Sequence, residues 1–244
     1  MAASQPSVVG HRGCAAHAPE NTLGGFGRAA ELGCDWVEFD VQLSRDGVPV
    51  VVHDPNLERT TGLDMPVRFL VARRIAELDA GSWFGPEWRD ERVPTLAQTL
   101  DTCAVLGLMP NIEIKNDCGA LRRCARAVAA VVAERWPAAM GRPLISSFSL
   151  RALYWSRLAN ADQPLALLMW RKPVKLWRLH TRLLRCRAVH VDASLASEAL
   201  IGRAHRRGLK VGVYTVNDPE LAATLRSRGA DYIFSDNPES VVAT

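Results

Sequence analysis

The chain has 244 residues, 48% of them hydrophobic and 23% charged, with a formal net charge of +4. This length and apolar fraction suit one sizeable core, and the mild positive charge suits a small anionic partner but is too weak to argue for nucleic acid. Six cysteines without a Cys-x-x-Cys pair argue against a zinc site, and no apolar run approaches membrane-spanning length.

The first residues, Met-Ala-Ala-Ser-Gln-Pro, lack the charged region and apolar core of a secretion signal. A cytoplasmic protein with reduced thiols is therefore expected. Residues 8–11 read as a short buried strand that ends in His11 and Arg12. Asn21 or Thr22 suits the N-cap of a helix running to about Leu32, with Gly33 at its exit. In the next strand Val37, Phe39 and Val41 alternate with Glu38, Asp40 and Gln42. Side chains two apart on a strand share a face, so Glu38 and Asp40 point the same way. Two adjacent carboxylates repel unless a cation lies between them, and a hard divalent ion such as Mg²⁺ or Ca²⁺ is the usual solution. A turn at Asp46-Gly47 leads into a second apolar run, 48–52, which ends in His53-Asp54.

From about 54 to 94, prolines and glycines break the pattern, and only 67–78 looks helical. Its apolar content (Leu70, Ile75, Trp83, Phe84, Trp88) is too high for a loose tether, so it reads as an insertion packed over one end of the body. Regular alternation follows. Strands are expected at 108–115, 144–147, 165–169, 188–191, 210–215 and 232–234, and helices at 96–106, 120–136, 150–158, 174–184, 198–207 and 219–228. With the first two strands this gives eight. The expected fold class is α/β: a (β/α)8 TIM barrel with a small insertion after the second strand, a single domain over 1–244. An open doubly wound sheet ranks second, because no Gly-x-Gly-x-x-Gly follows the first strand.

In such barrels chemistry sits at the C-terminal ends of the strands. Asn111, Glu113 and Lys115 share one face of the third barrel strand. Glu113 is a natural third metal ligand and Lys115 suits a phosphate oxygen, the alternative being a structural Glu113–Lys115 ion pair. Ser149, Asn217 or Asp218, and Asp236 read as helix caps. Tyr214 either lines the pocket or packs. His17, His180, His190 and His205 read as surface or packing residues. The basic stretch 171–187 reads first as a barrel helix with a solvated face, and contact with an anionic membrane is its second reading.

Taken together, His11-Arg12-Gly13, Pro19-Glu20-Asn21-Thr22, Glu38-Phe39-Asp40-Val41, Asp46-Gly47 through His53-Asp54, Leu57 through Gly62, Pro94-Thr95-Leu96, Asn111 through Lys115 and Asp236 come in an order that resembles the glycerophosphodiester phosphodiesterase family, in its small cytosolic bacterial form. The resemblance spans nearly the whole chain. It implies metal-dependent hydrolysis of a small glycerophosphodiester to glycerol 3-phosphate and an alcohol, with a lysophospholipase D-type enzyme on the same barrel as the alternative. It further implies that Glu38, Asp40 and Glu113 bind Mg²⁺ or Ca²⁺, that His11 and His53 form the acid–base pair, that Arg12 and Lys115 hold the phosphate, and that Glu20 sits near the metal and its ligands.

Overall fold

In the computed structural model, which describes residues 7–242, nine strands form one sheet. They are β1 (Ser7–Gly10), β2 (Trp36–Leu43), β3 (Pro49–Val51), β4 (Met109–Ile114), β5 (Leu144–Ser147), β6 (Leu165–Met169), β7 (Ala188–Asp192), β8 (Lys210–Tyr214) and β9 (Tyr232–Ser235). All but β3 pair in parallel, and β1 bonds both β2 and β9, so eight strands close into a barrel. β3 instead pairs antiparallel with β2 and leads out of the ring.

The helices are α1 (Leu23–Glu31), α2 (Glu58–Thr61), α3 (Ala72–Ile75), α4 (Leu96–Leu106), α5 (Leu121–Arg135), α6 (Leu150–Ala159), α7 (Trp177–Leu183), α8 (Glu198–His205), α9 (Pro219–Ser227) and α10 (Pro238–Val242). The main core lies between strands and helices. Val37, Phe39, Val41, Ile112 and Ile114 point outward from the barrel and are fully buried there. Burial of each such side chain stabilises the fold by roughly 1.5–3 kcal/mol. Their odd-even alternation leaves Glu38, Asp40, Asn111 and Glu113 for the interior. Lower in the barrel, Gly212 has to be glycine. A Cβ there would meet Phe234 at 2.6 Å and His190 at 2.7 Å. His190 is thus a packed interior histidine, as the sequence indicates, and burial pushes its pKa down to about 3.

The caps follow local chemistry. Thr22, not Asn21, caps α1 by accepting from the Gly25 N–H. Thr95 and Gln98 form a reciprocal capping box on α4. Ser149 caps α6 and Asp218 caps α9.

The segment after β3 has a core of its own, built from Val50, Val52, Leu57, Val67, Ala72, Ile75, Ala80 and Val93. The single helix expected over 67–78 is not formed. A short 3-10 turn (Val67–Phe69) and α3 are separated by extended Leu70 and Val71. The β2–β3 turn causes the break: the Arg45 N–H donates to the Leu70 carbonyl, and Asp46 Oδ1 accepts from the Ala72 N–H.

Candidate active site

The parallel register of β2 and β4 sets Asp40 beside Glu113 and Glu38 beside Asn111. Glu38, Asp40 and Glu113 are all buried, and each offers one oxygen within 4.8 Å of the others'. Glu38 Oε1 has no hydrogen-bond partner. Burial, reinforced by the charge of Asp40, pushes the Glu38 carboxyl up to about 8. The same two causes raise Glu113 to about 7. Asp40 moves the other way. Burial opposes its charge, but Lys115 and Arg12 outweigh it and hold the carboxyl well below the usual range. Three converging carboxylates with an orphaned oxygen fit a hard divalent cation, which takes oxygen donors.

Lys115 Nζ lies 3.2 Å from Asp40 Oδ1 and 2.9 Å from Glu113 Oε1. The Glu113–Lys115 pair is therefore formed, on the cavity wall. Arg12 follows β1 in the left-handed region (φ 51°). Its N–H donates to Glu38 Oε2 at 3.0 Å, and its guanidinium Nε lies 3.5 Å from Asp40 Oδ2. Gly10 permits this turn, since a Cβ there would fall 1.9 Å from the Gly13 carbonyl oxygen.

Both candidate histidines have one nitrogen committed. His11 Nδ1 lies 2.6 Å from Asp236 Oδ1, and His53 Nδ1 lies 2.6 Å from Asp54 Oδ1. An ionised carboxylate only accepts, so each Nδ1 carries the proton and each Nε2 is left for chemistry. Burial disfavours the charged form of His11, but the bond to Asp236 and the charge of Glu38 win and raise its pKa. For His53 burial dominates, aided by Lys115 and Arg12, and the pKa falls despite Asp40.

His11, Arg12, Glu38, Asp40, His53, Asn111, Glu113 and Lys115 line one side of a cavity of about 460 Å³. Phe148, Leu168, Trp170, Tyr214 and Phe234 give it an apolar side. Tyr214 does line the pocket, but its hydroxyl donates to the Met169 carbonyl at 2.7 Å and its ring packs edge-on against Phe148. Glu20 sits behind the wall, joined to Arg12 at 3.0 Å and to Arg59 at 2.7 Å. It holds Arg12 rather than facing the cavity.

Some participants were missed from the sequence. Asp236 is no helix cap: besides His11 it accepts from Asn217. Asn21 Nδ2 donates to Asp40 Oδ2, and its Oδ1 accepts from the Asp40 N–H. Arg59 binds Asp54 and Glu20. Gly10 pairs with Ser235 across β1 and β9, so ring closure brings the next residues, His11 and Asp236, together. That signal was present once a closed barrel was expected.

The family model for the glycerophosphoryl diester phosphodiesterase family matches residues 11–240. The chain belongs to that family. A putative glycerophosphodiester phosphodiesterase of Bacillus subtilis is 30% identical over 244 residues, covering 96% of both chains. The glycerophosphodiester phosphodiesterase of Caldanaerobacter subterraneus subsp. tengcongensis is 31% identical over 239 residues, with the same coverage. Among solved structures, an Oleispira antarctica phosphodiesterase in complex with the product sn-glycerol-3-phosphate superposes with a TM-score of 0.92 at 33% identity, over 97% of this chain and 95% of its own. The span matched by the family model contains every site residue described above. No described helix is long and apolar enough to cross a membrane.

Proposed function

We propose that this member of the glycerophosphodiester phosphodiesterase family hydrolyses glycerophosphodiesters to sn-glycerol 3-phosphate and an alcohol. The observation that carries this reading is the buried carboxylate trio flanked by two histidines, each oriented by its own carboxylate. The product bound by the Oleispira enzyme supports the choice of substrate class.

Glu38, Asp40 and Glu113 would hold Mg²⁺ or Ca²⁺. Neutralisation of the charge gathering on the phosphate is the chemistry such an ion supplies. Arg12, pinned by Glu20, offers guanidinium donors to the same phosphate. Lys115 adds a second cation from the β4 side.

The histidines divide the proton work. A new phosphorus–oxygen bond forms to the attacking oxygen, either of water or of the glycerol 2-hydroxyl, whose cyclic phosphate water then opens, and the attacker gives its proton to a base. The bond to the leaving alcohol breaks, and its oxygen takes a proton from an acid. The opposite shifts, His53 down and His11 up, favour His53 as base and His11 as acid. Phe148, Leu168, Trp170 and Phe234 give the leaving alcohol an apolar wall, on which Asp192 and Thr215 are the further polar groups. Lysophospholipids draw no support as substrates from the relatives described above.

The test is release of glycerol 3-phosphate from glycerophosphocholine, followed by a coupled assay in chelator and after return of Mg²⁺ or Ca²⁺. Activity that chelator abolishes and metal restores is expected. No product under any metal condition would overturn the reaction, and full activity in chelator would overturn the carboxylate site.

A further inference from the structure

Helix α7 presents a second apolar face to solvent. Its inner face is ordinary: Trp177 and Thr181, one turn apart, are buried against the barrel. On the outside, Leu176, Leu179 and Leu183 are 62%, 48% and 69% exposed. Leu179 and Leu183, four residues apart, align on the helix, and Leu176 adjoins them at its N-cap in the left-handed region (φ 55°). Trp170, 58% exposed, precedes the helix on the loop that leaves β6. A barrel helix covered only by water has no reason to carry such a stripe.

Cations surround it. Arg171, Lys172, Lys175, Arg178, Arg182, Arg185 and Arg187 are all exposed, and the chain has no acidic residue from 163 to 191. Among the described residues none of the seven forms an ion pair. With a net charge of only +4 for the whole chain, the rest of the molecule is net negative. These seven cations alone exceed the net charge of the whole chain. Between α7 and α8 lies a cavity of about 540 Å³, lined by Arg178, Arg182, Arg185, Arg206 and Arg207 without a carboxylate.

We propose that α7 and the arginine-lined cavity beside it dock the protein on an anionic phospholipid bilayer. Leu176, Leu179, Leu183 and Trp170 enter the headgroup–acyl boundary, and the arginines take the lipid phosphates. Leucines flanked by arginines are the pattern of a helix lying in a membrane interface. Nucleic acid would use the cations and leave the leucines in water, and a second copy of this chain would set cation against cation. Trp170 also lines the catalytic cavity, so docking brings the cavity mouth close to the lipid surface.

The test is co-sedimentation of the full chain with phosphatidylcholine vesicles and with mixed phosphatidylcholine–phosphatidylglycerol vesicles. Binding to the mixed vesicles alone is expected, weakening as salt is raised. Leu179→Ser with Leu183→Ser should cut that binding about tenfold or more. Arg182→Gln with Arg207→Gln should weaken it too, and both double variants should keep their circular dichroism and hydrolytic rate, since none of these residues faces the catalytic cavity. Equal binding to neutral vesicles, no binding to either, or binding unchanged by the leucine substitutions would overturn the proposal. So would a dimer in light scattering that the leucine substitutions dissociate, or duplex DNA that displaces the protein from vesicles regardless of the leucines.

Discussion

His11 and Asp236 stand 225 positions apart, yet the ring Nδ1 of one lies 2.6 Å from Oδ1 of the other. The bond fixes the tautomer and aims Nε2 toward Glu38 Oε2, 3.8 Å away. Asp236→Asn keeps the shape but removes the charge that favours Nδ1–H. We expect kcat to fall about 10–100-fold while KM and the melting temperature change little. Steady-state kinetics beside a thermal melt will check this, and a wild-type kcat would remove Asp236 from the mechanism.

The two histidines should set a bell-shaped pH profile. His53, shifted down, governs the acid limb, because the base must be deprotonated. His11, shifted up, governs the alkaline limb, because the acid must be protonated. Asp54→Asn removes an interaction that raises the His53 pKa, so the acid limb should move to lower pH. Asp236→Asn should move the alkaline limb lower. Profiles of kcat/KM for the three proteins decide it, and movement of the opposite limb in each variant would exchange the roles.

Metal binding should release protons. Glu38, at about 8, and Glu113, at about 7, keep protons near neutrality and lose them on coordination. Affinity for Mg²⁺ should therefore rise between about pH 6 and about pH 8. Calorimetry in buffers of different ionisation heat will count the protons, and a heat independent of buffer would contradict the raised carboxyls.

The same carboxyl sets the stability of the metal-free protein. A Glu38 pKa raised on folding gives stabilisation that is complete below the unfolded value and is lost as pH climbs toward the folded one. The metal-free melting temperature should fall from about pH 5 to about pH 8, and Glu38→Gln should flatten that fall. A metal-free melt as flat in the wild type as in the variant would show that the buried charge is compensated some other way.

Lys115 stands between two of the carboxylates. Lys115→Met leaves Asp40 and Glu113 to face each other with less compensation. Breaking a buried pair costs about 3 kcal/mol, so the metal-free variant should unfold at lower denaturant and regain stability when Mg²⁺ is added. Chemical denaturation with and without metal reads both effects.

Much of this was legible in the sequence because it rests on periodicity. The alternation through β2 and β4 sends Glu38, Asp40 and Glu113 to one interior, and residue types alone then point to a cation. The barrel follows from counting strands. Other features depend on distant contacts that no local pattern carries. Leu70 looks helical until Arg45 and Asp46 tie its neighbourhood to a turn some 25 residues upstream. Asn21 and Asp236 sit where caps belong, and their side chains are instead taken by Asp40 and His11. A short polar side chain at a strand end serves whichever partner tertiary packing brings.

Closure of the ring through β1 and β9 also has a temporal meaning. In synthesis His11 precedes its carboxylate partner by 225 residues. A nascent chain carries the glutamates, the arginine and both imidazoles before the site is whole, and on the proposed mechanism His11 gains its orienting carboxylate only once the final strand has docked against the first.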